Sequence, residues 1–162
     1  MFRGGIMYAK ILVPLDGSTF SECSLPHVKA VALGCKIPEV VLLRVVEPLS
    51  ANELAALAGI RGDAVNQVET TKKSEATEYI SKIAQRLNTE GIAAKGEIAY
   101  GRSDEKILDY ADKNHFDLII MSTHGRSGIS RWALGSVADR IVRHSTVPVL
   151  LVSPPGCRMN QP

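Results

Sequence analysis

The segment from Ser122 to Ser136 concentrates residue types that can hold an anion. It carries Gly125, Gly128 and Gly135, hydroxyls at Ser122, Thr123, Ser127, Ser130 and Ser136, and guanidinium groups at Arg126 and Arg131. Glycine lets main-chain amides approach a phosphate with no Cβ in the way. Gly135-Ser136 then opens a predicted helix, whose first turn has unpaired N–H groups and a partial positive charge. A phosphate chain can rest there, with Ser136 donating its hydroxyl. A surface loop ending in a Gly-Ser helix start fits the same spacing, and spacing alone does not choose between the two.

Asp16 is the second residue of interest, at the end of the apolar run Lys10-Ile11-Leu12-Val13-Pro14-Leu15. A carboxylate there can accept hydrogen bonds from two sugar hydroxyls, or it can simply cap the turn at Gly17-Ser18. Other chemistries find little support. There is no G-x-x-x-x-G-K-[ST], no G-x-G-x-x-G after a strand and no kinase signature set. His27, His115, His124 and His144 lack metal-ligand spacing, and Gly125-Arg126-Ser127-Gly128 is one residue short of a nucleophile elbow. His124 could donate to a phosphate, act as a general acid or pack the loop. Trp132, the single tryptophan, reads as a packing anchor or part of a partner surface.

The elements that must position these residues follow from periodicity. Lys10 to Leu15, Val40 to Val46, Ala94 to Tyr100, Leu118 to Ser122 and Val147 to Val152 read as five strands. Their runs are largely apolar rather than alternating, so both faces of the sheet are covered. Helices are predicted between them. The first has Leu25, Val28, Ala32 and Leu33 on one side, a kink or late start at Pro26 and a stop at Gly34. The second spans Asp63 to Asn88, with Val65, Val68, Ala76, Ile80, Ile83, Ala84 and Leu87 facing inward and a solvated charged face. The third takes Ser103 as N-cap with Asp104 and Glu105 in its positive end, and the last runs from near Ser136 to His144. Residues 49–62 fit no single element; they could cover a ligand or face a partner. Strands alternating with helices argue for a parallel α/β sheet with right-handed crossovers, whose ligands sit beyond the strands' carboxyl ends.

The chain has 162 residues, 45% of them hydrophobic and 22% charged, with a net charge of +2. This is globular composition in one domain, expected over residues 7–153, with residues 1–6 and 154–162 as tails. The near balance of charge offers no field for nucleic acid or a membrane surface, and no apolar run is long enough to span a bilayer. Met1 to Ile6 has no apolar h-region, and Met7 reads as a natural start. Cys23, Cys35 and Cys157 are odd in number with no C-x-x-C, which points to small apolar fillers in a reducing cytoplasm.

From Lys10 to Ser153 the chain resembles the universal stress protein family. The resemblance rests on Val13-Pro14-Leu15-Asp16, on Ser122-Thr123-His124-Gly125 followed after nine residues by Gly135-Ser136, and on the closing Val147 to Val152. The loop is similar to the G-x-x-G, nine residues, G-[ST] pattern of ATP-binding members, with Ser122 in place of the first glycine. A positive φ at that position would be costly for a serine. The resemblance implies a three-layer sandwich with strand order 3-2-1-4-5, like the adenine nucleotide alpha hydrolases. It implies ATP as ligand, with magnesium bridging the phosphates. Pro14, Val45 and Met121 would surround the adenine and Asp16 would meet the ribose. Ser122, His124, Gly125, Gly135, Ser136 and Val137 would run along the phosphates. It also implies a homodimer through Val147 to Val152, an apolar run whose open edge would want a partner. The function implied is nucleotide-dependent regulation rather than enzymology; the alternatives are a nucleotide-free dimeric adaptor and a slow ATP hydrolase.

Overall fold

The computed structural model describes residues 8–58, 63–123 and 134–153. Five parallel strands form one sheet in the order β3-β2-β1-β4-β5, as expected. They are β1 (Lys10–Pro14), β2 (Glu39–Val46), β3 (Ala94–Tyr100), β4 (Leu118–Ser122) and β5 (Val149–Val152). β1 lies between β2 and β4, pairing Leu12 with Val41 on one side and with Ile119 on the other. The helices are α1 (Thr19–Glu22), α2 (Leu25–Gly34), α3 (Ala51–Leu57), α4 (Ala64–Thr89), α5 (Ser103–Lys113) and α6 (Ser136–His144).

Strand side chains alternate between two cores. Ile11, Val13, Val40, Leu42, Leu118 and Ile120 pack with α2 and α4. Leu12, Val41, Leu43, Val45, Ile119 and Met121 pack on the opposite face with α5 and α6. Both faces are therefore dry at the central strands β1, β2 and β4, which is why those read as continuous apolar runs. On the α4 side, Gly96 of β3 admits the fully buried Ile80: a Cβ at Gly96 would lie 2.8 Å from Ile80 Cγ2.

Several boundaries differ from the sequence reading. The first helix is two, α1 and α2; the late start expected at Pro26 is found in α2, whose opening turn holds the proline, where its missing N–H costs no helical bond. α2 ends at Gly34, but the residue with positive φ is Lys36, at 53°. Ser103 does not cap α5. Arg102 holds the N-cap position, and Ser103 is the first helical residue, its N–H donated to Glu47 Oε1 at 3.0 Å. β5 begins at Val149 rather than Val147; Pro148 has no N–H to give the ladder, and the Val147 N–H goes to Ser145 Oγ at 3.1 Å. Residues 49–62 contain α3. Cys35 is exposed, not a filler.

α4 is 26 residues long, about 39 Å at ~1.5 Å per residue. β3 has seven residues, about 23 Å. The helix thus overhangs the carboxyl edge of the sheet. Its buried residues run from Ala76 to Leu87, while Val65 is exposed, against expectation. The overhang supplies a wall above that edge.

Substituting Gly96→Val should force Ile80 out of place and destabilise the fold by about 1–3 kcal/mol. The midpoint of urea unfolding would report it; an unchanged midpoint would contradict this packing.

Candidate functional site

β1 is the point where the direction of strand addition reverses, β2 and β3 lying to one side and β4 and β5 to the other. Open sheets leave a crevice at such a point, beyond the carboxyl ends of the strands. Here it is a cleft of about 760 Å³. Its apolar floor is Leu43, Val45, Met121, Ile107 and Ala138, all from the core shared with α5 and α6. Pro14, Asp16, Ser122, Gly135, Ser136 and Val137 also line it. The structure therefore brings together every expected site residue except His124 and Gly125, which lie outside the described residues, as do Arg126, Arg131 and Trp132.

Asp16 follows β1 in a tight turn made possible by Gly17, whose φ is +83°. Its Oδ1 accepts from the Ser18 N–H at 2.9 Å and the Ser18 hydroxyl at 2.6 Å. Ser18 Oγ in turn caps α1 by accepting from the Ser21 N–H at 3.1 Å. Asp16 is thus the turn cap, and it also lines the cleft.

Ser122 ends β4 and is buried. It is not among the described non-glycine residues with positive φ, which are Lys36 and His115, so its backbone carries none of the strain a serine could have met there. After it, the Thr123 N–H donates to the Val152 carbonyl and the Gly135 N–H to the Thr123 carbonyl, both at 2.9 Å. These bonds bring the start of α6 to the end of β4. Gly135 is the N-cap of α6, with φ −56° and ψ 149°. Any residue adopts that conformation, so the backbone does not require glycine there. Without a side chain it cannot cap, and α6 begins with no side-chain cap hydrogen bond. Ser18 and Ser50 cap α1 and α3, while α2, α4 and α5 begin, like α6, without a side-chain cap; what sets α6 apart is that three successive residues of its first turn line the cleft. The first turn of α6 faces the cleft through Ser136, Val137 and Ala138, where its dipole favours negative charge.

The start of α6 is braced from α5. Arg140 Nε donates to Asp104 Oδ2 at 2.9 Å, and Arg102 Nη2 to the same oxygen at 3.0 Å. Burial alone would raise the Asp104 carboxyl; the Glu105 amide and the two guanidinium groups outweigh it and hold it below its ordinary value.

The opposite wall was not legible from chemistry-bearing motifs. Lys72, Glu75, Ala76 and Tyr79 line the cleft from one face of the α4 overhang, at helical spacing. Burial first, then the Glu22 charge and hydrogen bond, push the Tyr79 phenol up, so it stays a proton donor, bound to Glu22 Oε1 at 3.1 Å. Ser50 and Glu53 form a capping box on α3: the Ser50 N–H donates to Glu53 Oε2 at 2.7 Å and the Glu53 N–H to Ser50 Oγ at 3.3 Å. Lys72 Nζ donates to Glu53 Oε1 at 2.7 Å. The signal was present as Ser50-x-x-Glu53 before an Ala/Leu run, while Lys72 looked like part of a solvated face.

A search of the family models matches residues 7–153 to the universal stress protein family. The chain belongs to the universal stress protein family. One relative is the universal stress protein MJ0577 of Methanocaldococcus jannaschii, 33% identical over 156 residues, covering 91% of this chain and 96% of that one. The solved structure of MJ0577 superposes with a TM-score of 0.78 at 32% identity, over 96% of this chain and all (100%) of that one. UspA from Lactobacillus plantarum gives 0.75 at 26% identity, over 90% and 97%. More distant structures share the fold. One is a universal stress protein in complex with cAMP, with a TM-score of 0.65 at 18% identity over 90% and 97%. Another is an Arabidopsis thaliana family protein with AMP bound, at 0.58 and 16% over 90% and 91%.

Glu53 gives this wall a pH signature. The Lys72 ammonium, then the Ser50 N–H and hydroxyl, pull its carboxyl from 4.5 down to about 2. The interaction is fully present above the ordinary value and is lost as pH falls through about 2. Carboxyl 13C NMR should titrate Glu53 near 2, and Lys72→Met should move the midpoint up toward 4.5. A wild-type midpoint near 4.5 would contradict the pair.

Proposed function

We propose that this universal stress protein binds ATP with Mg2+ in the cleft and acts as a nucleotide-dependent regulatory, stress-response protein. The observation that carries the reading is the first turn of α6: it has no side-chain cap and it opens on the same cleft as a fixed acid and an apolar floor. Phosphate is the ligand that suits unpaired amides at a helix start. The apolar floor at Val45 and Met121, with Pro14, suits a flat base. Asp16, in the same lining, suits the ribose hydroxyls. Ser122, Gly135, Ser136 and Val137, with His124 and Gly125, take the phosphates. The relatives seen with cAMP and AMP support an adenine nucleotide as the class of ligand.

The case for magnesium is electrostatic. The described lining carries four acids, Asp16, Glu47, Glu53 and Glu75, against two bases, Arg44 and Lys72. A triphosphate facing that balance needs a counter-cation. No cluster of three or more His, Cys, Asp or Glu among the described residues could hold a metal by itself. Magnesium, bound when present with the phosphates, would neutralise their charge there.

The protein is cytoplasmic on this reading, and it pairs as a homodimer through the last strand. Among the described residues β5 has a neighbour on one side only, and Leu150 on it is exposed. Among the described residues no helix is long and apolar enough to cross a membrane. The reading has ATP as an occupant rather than a consumed substrate, with phosphate released at no more than about a few per minute, orders of magnitude below ordinary turnover.

Calorimetry with ATP and Mg2+ should show saturable binding, and Gly135→Val should weaken it by about tenfold or more by filling the cradle at the start of α6. No heat at millimolar nucleotide, or an unchanged affinity in the variant, would contradict the proposal.

A further inference from the structure

We propose that Lys72 is a phosphate-contacting residue that Glu53 holds in reserve: the anionic arm of an entering nucleotide takes the ammonium group from the Glu53 carboxylate. This deepens the reading of the cleft as an ATP site and rests on it.

Three observations carry it. Among the described lining residues the basic groups are Arg44 and Lys72. Arg44 is already engaged: its Nη1 donates to the Val45 carbonyl at 2.7 Å. Lys72 is the cation on the overhanging wall, with Glu75, Ala76 and Tyr79 following it on the same helix face.

The bond that holds Lys72 is one a phosphate can displace. Its side chain is 35% exposed and that of Glu53 47%. Ion pairs in such surroundings are weak against water, and long lysine stems reorient freely. A triphosphate carries more charge than a single carboxylate and bonds an ammonium with the same charge assistance, so exchange favours it. Glu53 does not lose its place when Lys72 leaves. Its other oxygen, Oε2, still accepts from the Ser50 N–H and hydroxyl, both at 2.7 Å. The carboxylate thus competes for the cation without depending on it, and stays ionised at neutral pH.

Competition has a two-sided signature. Removing the cation should weaken MgATP, and removing the competitor should strengthen it. A purely structural brace between α3 and α4 would make both substitutions harmful. Calorimetry would compare wild type, Lys72→Met, Lys72→Arg, Glu53→Gln and Glu75→Gln, each with MgATP and with adenosine. Glutamine at position 53 can still form the capping box. Lys72→Met should weaken MgATP about tenfold, with Lys72→Arg close to wild type. Glu53→Gln should tighten MgATP about two- to fivefold, and Glu75→Gln, a generic change of field, by less. Adenosine, which has no phosphates, should bind all five proteins alike.

If Lys72→Met binds MgATP as well as wild type, or Glu53→Gln binds it no tighter, the exchange is overturned while the ATP site stands. Parallel loss of adenosine and ATP would overturn it too, by making Lys72 a prop. A wild type that binds neither ligand overturns the cleft reading and this inference with it.

Discussion

A right-handed crossover can add a parallel strand to either side of the one before, and at β1 this chain uses both sides. β2 and β3 are laid down in one direction, with α2 and α4 on one face. β4 and β5 are laid down in the other, with α5 and α6 on the opposite face. Among the described residues the carboxyl edge opens at the reversal into the cleft. Everything of functional interest follows from that opening: Asp16 leaves β1 beside it, Ser122 ends β4 beside it, and α6 starts over it. The Thr123–Val152 and Gly135–Thr123 hydrogen bonds, both 2.9 Å, hold that start against the sheet.

The two walls of the cleft are built by different physics. The α5/α6 wall is core: Val45, Met121, Ile107 and Ala138 are buried, and their packing fixes the floor that a base would meet. Asp104, clamped by Arg102 and Arg140, ties the two helices behind it. The α4 wall is electrostatic and partly solvated. It exists because the helix is longer than the strands it covers, and its Lys72–Glu53 contact is exposed enough to exchange partners. A rigid apolar floor facing an adjustable charged wall suits a ligand with a flat apolar end and a polyanionic end.

Much of this was legible in the residues. Unbroken apolar runs showed strands buried on both faces, and Leu118 to Ser122 was placed to the residue. The strand order and the assignment of site positions came from the family resemblance, not from periodicity, which carries no pairing information. The misses have physical causes. Ser103 looked like an N-cap, but a side chain distant in sequence, Glu47, took its amide. Val147 extended an apolar run, but the proline after it cannot join a ladder. Val65 continued the helical stripe past the end of the sheet, where it is exposed. Lys72 carried no local sign of its position, because only the overhang of α4 brings a surface lysine over the strand ends. At Ser122 the departure from the glycine pattern costs no backbone strain, since the strand conformation there suits any residue.

The central claim is that the crevice at the strand reversal is a nucleotide site whose phosphate end is the start of α6. Two-dimensional amide NMR during titration with MgATP tests it most directly. The account expects the largest shifts at Asp16 to Ser18, Val45, Met121 to Thr123 and Gly135 to Ala138, with β3 and the far ends of the helices still. Shifts that avoid the Gly135–Ala138 amides while nucleotide binds elsewhere would contradict it, as would a spectrum that does not change at millimolar MgATP.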